Sequence, residues 1–500
     1  MTWLDEVMQQ WPPTGAQRPY PRLVVDEETW RQAASRLADT QGTMLALWAE
    51  PDAVHLAVES AGRIGVLTLA CPDRRFPSIG RLHPPAQRPE RTIRDLYGLE
   101  PTGGSDPRRW VDHGRWGLRH PLGTPAEAPA TGDGYVFLPA EGPPLHQIPV
   151  GPVHAGIIEP GHFRFTANGE TVVRLEERLG YVHRGLEHLL TGADLDRAAR
   201  LAARASGDST VAYGLAFARA VEAALGLEPP PRALWLRALM AELERLANHL
   251  GDIGAICNDA AFSLMLAHCG ILRERVLRTA HRAFGHRLMM DRVLPGGVAA
   301  DLAPDGAADI AALVEEIRRR FPPLVELYDN TTSLQDRTVA TGILAPGLAR
   351  QFGAGGFVGR ASGRGVDVRR TPGYAPYDSL EFAVPVLEEG DVNARVWIRI
   401  REIEASLGLI GQILERLPGG PARAEVPRQA GEGLALVEGF RGDVLAWVRL
   451  DGDGRIARCH LRDPSCFQWP LLEAAIEGNI VADFPLCNKS FNCSYAGHDL

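Results

Sequence analysis

An α+β chain, in which a small mixed domain leads into a large, mainly helical bundle with flanking β segments, is predicted by three observations. Short apolar runs alternate with turn signals over about the first 125 residues, apolar residues recur at helical spacing through the middle, and strand-like runs return near the end. Five hundred residues with 45% hydrophobic content suffice for a sizeable core, and that length predicts roughly two to four domains.

In the first 125 residues, Leu23-Val24-Val25, Ala53 to Val58 and Ile64 to Leu69 read as strands, and Thr29 to Ala46 as one helix. A stretch rich in Pro, Gly and Ala follows from Pro121 to about Gly151, including Ala126-Glu127-Ala128-Pro129-Ala130-Thr131-Gly132. It marks a boundary, with 1–125 as one domain, 126–150 as linker and 151–500 as the second domain. Strand-like and helix-like segments then run from Phe163 to Val173 and from Val182 to Leu190.

Long helices are predicted at about Leu195 to Leu225, Arg232 to Phe262, Ser263 to Met290, Ala307 to Tyr328 and Asp391 to Leu417. Leu236, Leu239, Met240, Leu243, Leu246 and Leu250 recur mostly three or four apart, which makes one face of the second helix a core stripe. Pro229-Pro230-Pro231, Pro295-Gly296-Gly297 and Pro418-Gly419-Gly420 supply stop signals. Val444 to Leu450, the turn Asp451-Gly452-Asp453-Gly454 and Arg455 to Leu461 read as a hairpin.

A net charge of -9 offers no basic stripe to neutralise phosphates, which excludes nucleic acid as a partner. The start has no basic region followed by an apolar run, and nothing approaches the ~18 apolar residues of a membrane span, so the expected address is the cytoplasm. Seven cysteines, an odd and scattered set, fit reduced thiols better than a disulfide framework. Cys459, Cys466, Cys487 and Cys493 lack a C-x-x-C pair and read as small buried hydrophobes.

The chemistry-bearing segment is Arg204-Ala205-Ser206-Gly207-Asp208-Ser209. Together with Gly151-Pro152-Val153-His154 and Glu159-Pro160-Gly161-His162-Phe163-Arg164-Phe165, it resembles the large subunit of nickel-iron hydrogenases and its relative, the quinone-site subunit of respiratory complex I. The resemblance continues through Gly180-Tyr181-Val182-His183-Arg184-Gly185-Leu186-Glu187, Glu242-Leu243-Glu244-Arg245-Leu246-Ala247-Asn248-His249, Gln335-Asp336-Arg337, Gly359-Arg360, and Asp391 with Arg395. Glu90-Arg91-Thr92-Ile93-Arg94-Asp95-Leu96-Tyr97-Gly98-Leu99 is similar to the E-R-E-x-x-D-L-F/Y-G-I signature of the small hydrophilic subunit of complex I, with Thr92 departing from it. The resemblance implies that two subunits are fused here.

In nickel-iron hydrogenases two C-x-x-C motifs hold the metals, since soft thiolates suit nickel and bridge it to iron. At the matching places this chain has Ser206 and Ser209, then Ser465 and Gln468 in Asp463-Pro464-Ser465-Cys466-Phe467-Gln468, with Cys466 one place out of frame. No metal site is expected. Nor does the tail from Gly478 to Leu500 match the segment that hydrogenases remove after metal loading. The His and Tyr at the head of complex I's quinone chamber would fall near Pro160 and Gly207, and neither is retained.

Ser206 and Ser209 read either as helix caps or, with Asp208, as the lining of a cavity vacated by metal. Candidates for proton transfer are Glu159, Asp208 and His183; candidates for contact with a cofactor or acceptor are His154, His162, Arg204, Ser206 and Ser209. Glu159 reads equally as a surface carboxylate, and His183 with Arg184 as structural hydrogen-bonding groups. Glu242, Arg245 and His249 share a helical face and predict a buried ion-pair network.

The resemblance implies a peripheral subunit of a membrane-bound, complex I-like oxidoreductase on the inner face of the cell membrane. Electrons would pass from an iron-sulfur cluster in a partner small subunit to an acceptor such as a quinone, beside membrane subunits that move ions, with no cofactor bound by this chain. The alternative is a scaffold or coupling subunit without catalysis.

Overall fold

In the computed structural model, residues 2–127, 134–156 and 158–500 are described. Ala128-Pro129-Ala130-Thr131-Gly132, in the expected linker, lies outside them.

The N-terminal strands form one sheet in the order Arg22–Val25, Arg63–Ala70, Ala53–Ser60, Thr43–Glu50, the first pair parallel and the others antiparallel. The expected helix from Thr29 to Ala46 is shorter. It runs Glu27–Ala38, capped by the Asp26 carboxylate, which accepts the Thr29 N–H at 2.8 Å. Thr40 at φ +54° then turns the chain, and Thr43–Glu50 is a strand buried on both faces, whose unbroken apolar run mimics a helix in the sequence.

The small-subunit-like signature is structural. Glu90 accepts the N–H groups of Ile79 and Gly80 at 2.6 and 3.0 Å, and Asp95 accepts those of Trp110 and Val111 at 2.6 and 3.0 Å. Each carboxylate ties down a loop that would otherwise leave buried donors unpaired.

The linker reading needs correction at its end. Leu145–Val150 is a strand that pairs antiparallel with His162–Asn168, which in turn pairs with Thr171–Arg178. Before it, Tyr135 lies under the guanidinium groups of Arg108 and Arg178, 5.0 and 4.4 Å from its ring centre.

The bundle is built on Pro231–Asp259, Ser263–Phe284 and Val392–Arg416, as expected within a few residues. All six residues of the predicted stripe, Leu236 to Leu250, are buried. Two expected helices are broken. Leu195 to Leu225 splits into Leu195–Ala202 and Thr210–Leu225, so that Arg204 to Ser209 is their connection. Ala307 to Tyr328 splits at Pro322, whose missing N–H suits the first position of a new helix.

The expected hairpin is present as Gly442–Leu450 and Ile456–Arg462, and Gly431–Gly439 joins it on the other side. Gln17–Arg18, from the start of the chain, adds a fourth, parallel strand. The two halves of the chain therefore share a sheet, and they share a core as well. Trp48 packs at 5.6 Å from Trp447 and stacks on His460 at 5.3 Å, while Arg449 bonds Glu50 and Arg22 pairs with Glu432 at 3.0 Å.

Candidate functional site

Three loops converge on the C-terminal stretch that begins at Asn492. The connection Arg204 to Ser209 arrives from the bundle, Phe440-Arg441 turns between two strands, and Asp463 to Gln468 opens the helix Ser465–Ala475. Arg441 is forced into place by close backbone packing: a Cβ on Gly356, itself at φ +58°, would lie 2.0 Å from the Arg441 carbonyl oxygen.

The guanidinium of Arg441 donates to both oxygens of Asp208, at 2.7 and 2.5 Å, and to the Ser209 hydroxyl at 3.1 Å. Ser206 donates to Asp208 at 2.9 Å and shares a hydrogen bond of 2.8 Å with the Ser494 hydroxyl. The Ser494 N–H donates to Ser465 Oγ at 2.8 Å, and Gln468 donates to the Arg441 carbonyl at 2.8 Å. The four residues at the expected metal-ligand positions thus join one hydrogen-bonded cluster with Arg441: Ser209 bonds its guanidinium, Ser206 the Asp208 that pairs with it, Gln468 its carbonyl, and Ser465 enters through Ser494. Neutral hydroxyls and an amide, whose Gln468 oxygen is buried without a partner, do not fit a nickel-iron centre, which needs free thiolates.

Burial alone would raise the Asp208 carboxyl, but the adjoining Arg441 guanidinium overrides it and holds the group at about 2. Asp208 is therefore ionised at neutral pH. The space beside it, walled by Glu244, Asn248 and Met289, is about 10 Å³, room for one water at most. The expected cavity at Ser206, Asp208 and Ser209 is filled by the Arg441 side chain.

The expected helix cap is also replaced. The Ser209 side chain bonds Asp208 and Arg441 and caps nothing; Glu244 instead receives the N–H groups of Val211 and Ala212 at 2.7 and 3.0 Å. Arg204 leaves the site altogether, because both its terminal nitrogens bond Asp291 at 2.7 and 2.8 Å on an exposed face.

His154 and His162 close their own loop: His154 Nε2 bonds the Gly161 carbonyl at 2.7 Å and His162 Nδ1 bonds the Gly151 carbonyl at 3.2 Å. Burial lowers the His162 imidazole. Val153, 81% exposed, and Ile158 project from the same loop. Glu159 receives the Ala496 N–H at 2.9 Å, which brings it to the helix that Ser494 caps through Gly497. Arg184 reaches the carbonyls of Ala205 and Ala496 at 2.7 and 3.1 Å.

His183 lies elsewhere. Its Nδ1 bonds the Asp499 carbonyl at 2.7 Å, its ring packs 5.0 Å from Trp116, and it lines a cavity of about 370 Å³ between the two halves of the chain. The structure thus brings Ser206 and Glu159 to residues 494–497, joins Asp208 and Ser209 to Ser206 and Arg441, and separates them from His183 and Arg204. Arg441 and Ser494 were not legible as site residues, since neither stands in a motif.

The buried network is as expected. Glu402 receives Arg360, Arg245 and His249 at 2.6, 3.1 and 2.7 Å, and Glu242 receives Arg369 and Tyr377 at 2.9 and 2.7 Å. Of the C-terminal cysteines, Cys459, Cys487 and Cys493 are buried and Cys466 is half-buried, and burial pushes the Cys466 thiol up to about 12. Among the described residues no three His, Cys, Asp or Glu side chains are grouped to hold a metal ion.

Three family models match the chain. Residues 23–131 match the 30 Kd subunit of respiratory-chain NADH dehydrogenase, 184–251 the nickel-dependent hydrogenases, and 259–430 with 422–499 the 49 Kd subunit of respiratory-chain NADH dehydrogenase. Formate hydrogenlyase subunit 5 of Escherichia coli (strain K12) is 33% identical over 85% of this chain and 77% of its own length. An NADH-quinone oxidoreductase subunit of Roseiflexus sp. (strain RS-1) is 34% identical over 67% of this chain and 94% of its own length. Among solved structures, a chain of the membrane-bound sulfane sulfur reductase, an archaeal respiratory membrane complex, superposes with a TM-score of 0.68 at 27% identity, over 71% of this chain and 98% of that one.

Proposed function

The chain belongs to the family that unites the complex I 49 Kd subunit with the large subunits of nickel-dependent hydrogenases, and from that premise we propose that it is a peripheral subunit of a membrane-bound, complex I-like oxidoreductase that works without a nickel-iron centre. It passes electrons from an iron-sulfur cluster in a partner protein to an acceptor other than protons. A quinone is the acceptor in this reading, in keeping with the quinone oxidoreductases among its relatives. Residues 1–125 then descend from a small hydrophilic subunit and 151–500 from the quinone-site subunit.

The observation that carries the proposal is the Asp208–Arg441 pair, which stands among the four positions where thiolates would hold nickel and iron. A hydrogenase needs an open metal coordination position there, and a guanidinium excludes it. With Asp208 ionised and Arg204 at the surface, the groups left to serve the acceptor are His154, His162 and Glu159, on the loop that exposes Val153 and Ile158. That loop is also where the iron-sulfur partner docks in this reading, alongside membrane subunits that move ions. No helix among the described residues is long and apolar enough to cross a membrane. The proposed place of the chain is peripheral, on the cytoplasmic face.

One observation favours a scaffold or coupling role instead: the space beside Asp208 is only about 10 Å³. Metal analysis and low-temperature EPR on the complex purified with its neighbours decide between the two. A reducible iron-sulfur signal without nickel supports electron transfer. Absence of both iron and nickel overturns it and leaves the scaffold.

A further inference from the structure

A second cavity, of about 190 Å³, lies where the N-terminal sheet meets the stretch 353–372. Thr43–Glu50 is the edge strand of that sheet, and its first residues form one wall together with Glu59, Gly62 and Ile64 from the hairpin beside it. Arg364 and Val366 stand opposite, and Leu436 and Asp443 from the C-terminal sheet close the space. It is about six times the ~30 Å³ that one water takes up in the liquid, enough for a small organic molecule. It shares no lining residue with the space beside Asp208 or with the cavity beside His183.

Arg364, half-buried, lacks an ion-pair partner. Its Nη1 donates to the Ala354 carbonyl at 2.9 Å, while Nε and Nη2, the fork that takes a carboxylate in two parallel bonds, have no partner and are open to water. Burial lowers the pKa of this guanidinium, and Asp443, Glu59 and Glu438 act on it only from beyond ion-pairing distance. A charge so enclosed is unfavourable until an acceptor is supplied. Two of the three carboxylates are already committed, Glu438 to Arg360 at 2.9 Å and Asp443 to Arg462 at 2.5 Å. Glu59 is not: one oxygen receives the Gly62 N–H at 2.6 Å, and among the described residues no cation pairs with it. The cavity therefore carries one spare positive and one spare negative charge beside a floor of buried Met44, Ile64 and Leu436.

We propose that this cavity binds a small zwitterion, a free amino acid with an aliphatic side chain, its carboxylate on the Nε–Nη2 fork of Arg364, its ammonium toward Glu59 and its side chain against Ile64, Val366 and Leu436. A simple anion would satisfy Arg364 but meet Glu59, and a simple cation would do the reverse, so the two walls together select a molecule that carries both charges. The inference does not rest on the electron-transfer reading; a subunit with no redox role would carry the same cavity.

The test is isothermal titration of L-valine, of 3-methylbutanoate, which lacks the ammonium, and of isobutylamine, which lacks the carboxylate, into the full chain and into the assembled complex. Valine binds both preparations at least about tenfold more tightly than either analogue, the effect of losing hydrogen bonds to a charged group. Arg364→Gln brings valine down to the level of isobutylamine, and Glu59→Gln, which keeps an acceptor for the Gly62 N–H, brings it down to the level of 3-methylbutanoate. Val366→Trp, at a position 37% exposed, fills the space and weakens all three probes whether or not the Arg364 variant folds. Equal affinity for valine and an analogue overturns the proposal, as does no binding of valine at on the order of 1 mM or unchanged binding in the Val366 variant. Binding to the isolated chain but not to the complex overturns it too, and assigns the cavity to a partner protein.

Discussion

Asp208 and Arg441 form a two-pronged ion pair across 233 residues of chain, Nη1 to Oδ1 at 2.7 Å and Nη2 to Oδ2 at 2.5 Å. The pair ties the connection before Thr210 to the turn between two strands, and Arg441 extends the tie to the Asn492 carbonyl. Arg441 is buried, and Asp208 is 37% exposed in its side chain. Arg441→Met leaves Asp208, Ser209 and the Asn492 carbonyl without their donor, and we expect a loss of about 2 kcal/mol in unfolding free energy by urea denaturation.

The same pair predicts an acid dependence. The folded carboxyl sits at about 2 against an ordinary 3.8, so its contribution is complete above about pH 4 and vanishes as pH falls through 2. Solvent screening limits that contribution to about 1 kcal/mol. The stability difference between the native chain and Asp208→Asn therefore shrinks from pH 6 to pH 2.5; a constant difference would contradict the pairing.

Glu244 predicts the opposite sign. Burial raises its carboxyl to about 8, against the lowering effect of the two N–H groups it receives. The native state then holds a proton that the unfolded chain has lost, and stability falls as pH rises from about 4.5 to 8. Glu244→Gln lacks that proton. Its unfolding free energy is expected to be flatter across this interval than that of the native chain, as read from denaturation midpoints at pH 5, 6.5 and 8.

Glu402 and Glu315 separate a buried charge from an exposed one. Glu402 is enclosed by Arg360, Arg245 and His249, and Glu402→Gln removes the carboxylate that the two buried guanidinium groups share, leaving Glu438 and Glu242 as their partners, at a cost of about 3 kcal/mol. Glu315, 70% exposed beside Arg318, contributes under ~0.5 kcal/mol, so Glu315→Ala leaves the midpoint unchanged.

Trp48 joins the halves of the chain through Trp447 and His460. Trp48→Ala is expected to cost about 3–5 kcal/mol and to lower the midpoint of the whole chain in a single transition. Two separated transitions would show instead that residues 1–125 fold independently of the rest.

Much of this was legible because it is local. The stripe Leu236 to Leu250 specifies its helix by period, Pro229-Pro230-Pro231 marks the break before it, and the hairpin at Asp451–Gly454 is encoded in its turn. Where local signals conflict, they misled. Thr43–Glu50 is apolar on both faces and reads as a helix continuing from Thr29, and Leu145–Val150 reads as linker because Pro149 and its Pro-rich flank hide a strand that exists only by pairing with His162–Asn168.

The sequence by itself determined the family, the helical core, the predicted buried network on Glu242, Arg245 and His249, and the replacement of four thiolates by Ser206, Ser209, Ser465 and Gln468. Only the tertiary structure decided what fills their place. Arg441 reaches Asp208 from a strand turn 233 residues away, Ser494 links Ser206 to Ser465, and His460 meets Glu187 across 273 residues. Those contacts depend on how two sheets and a bundle pack, and a side chain's partner across such distances leaves no periodicity or spacing in the chain that carries it.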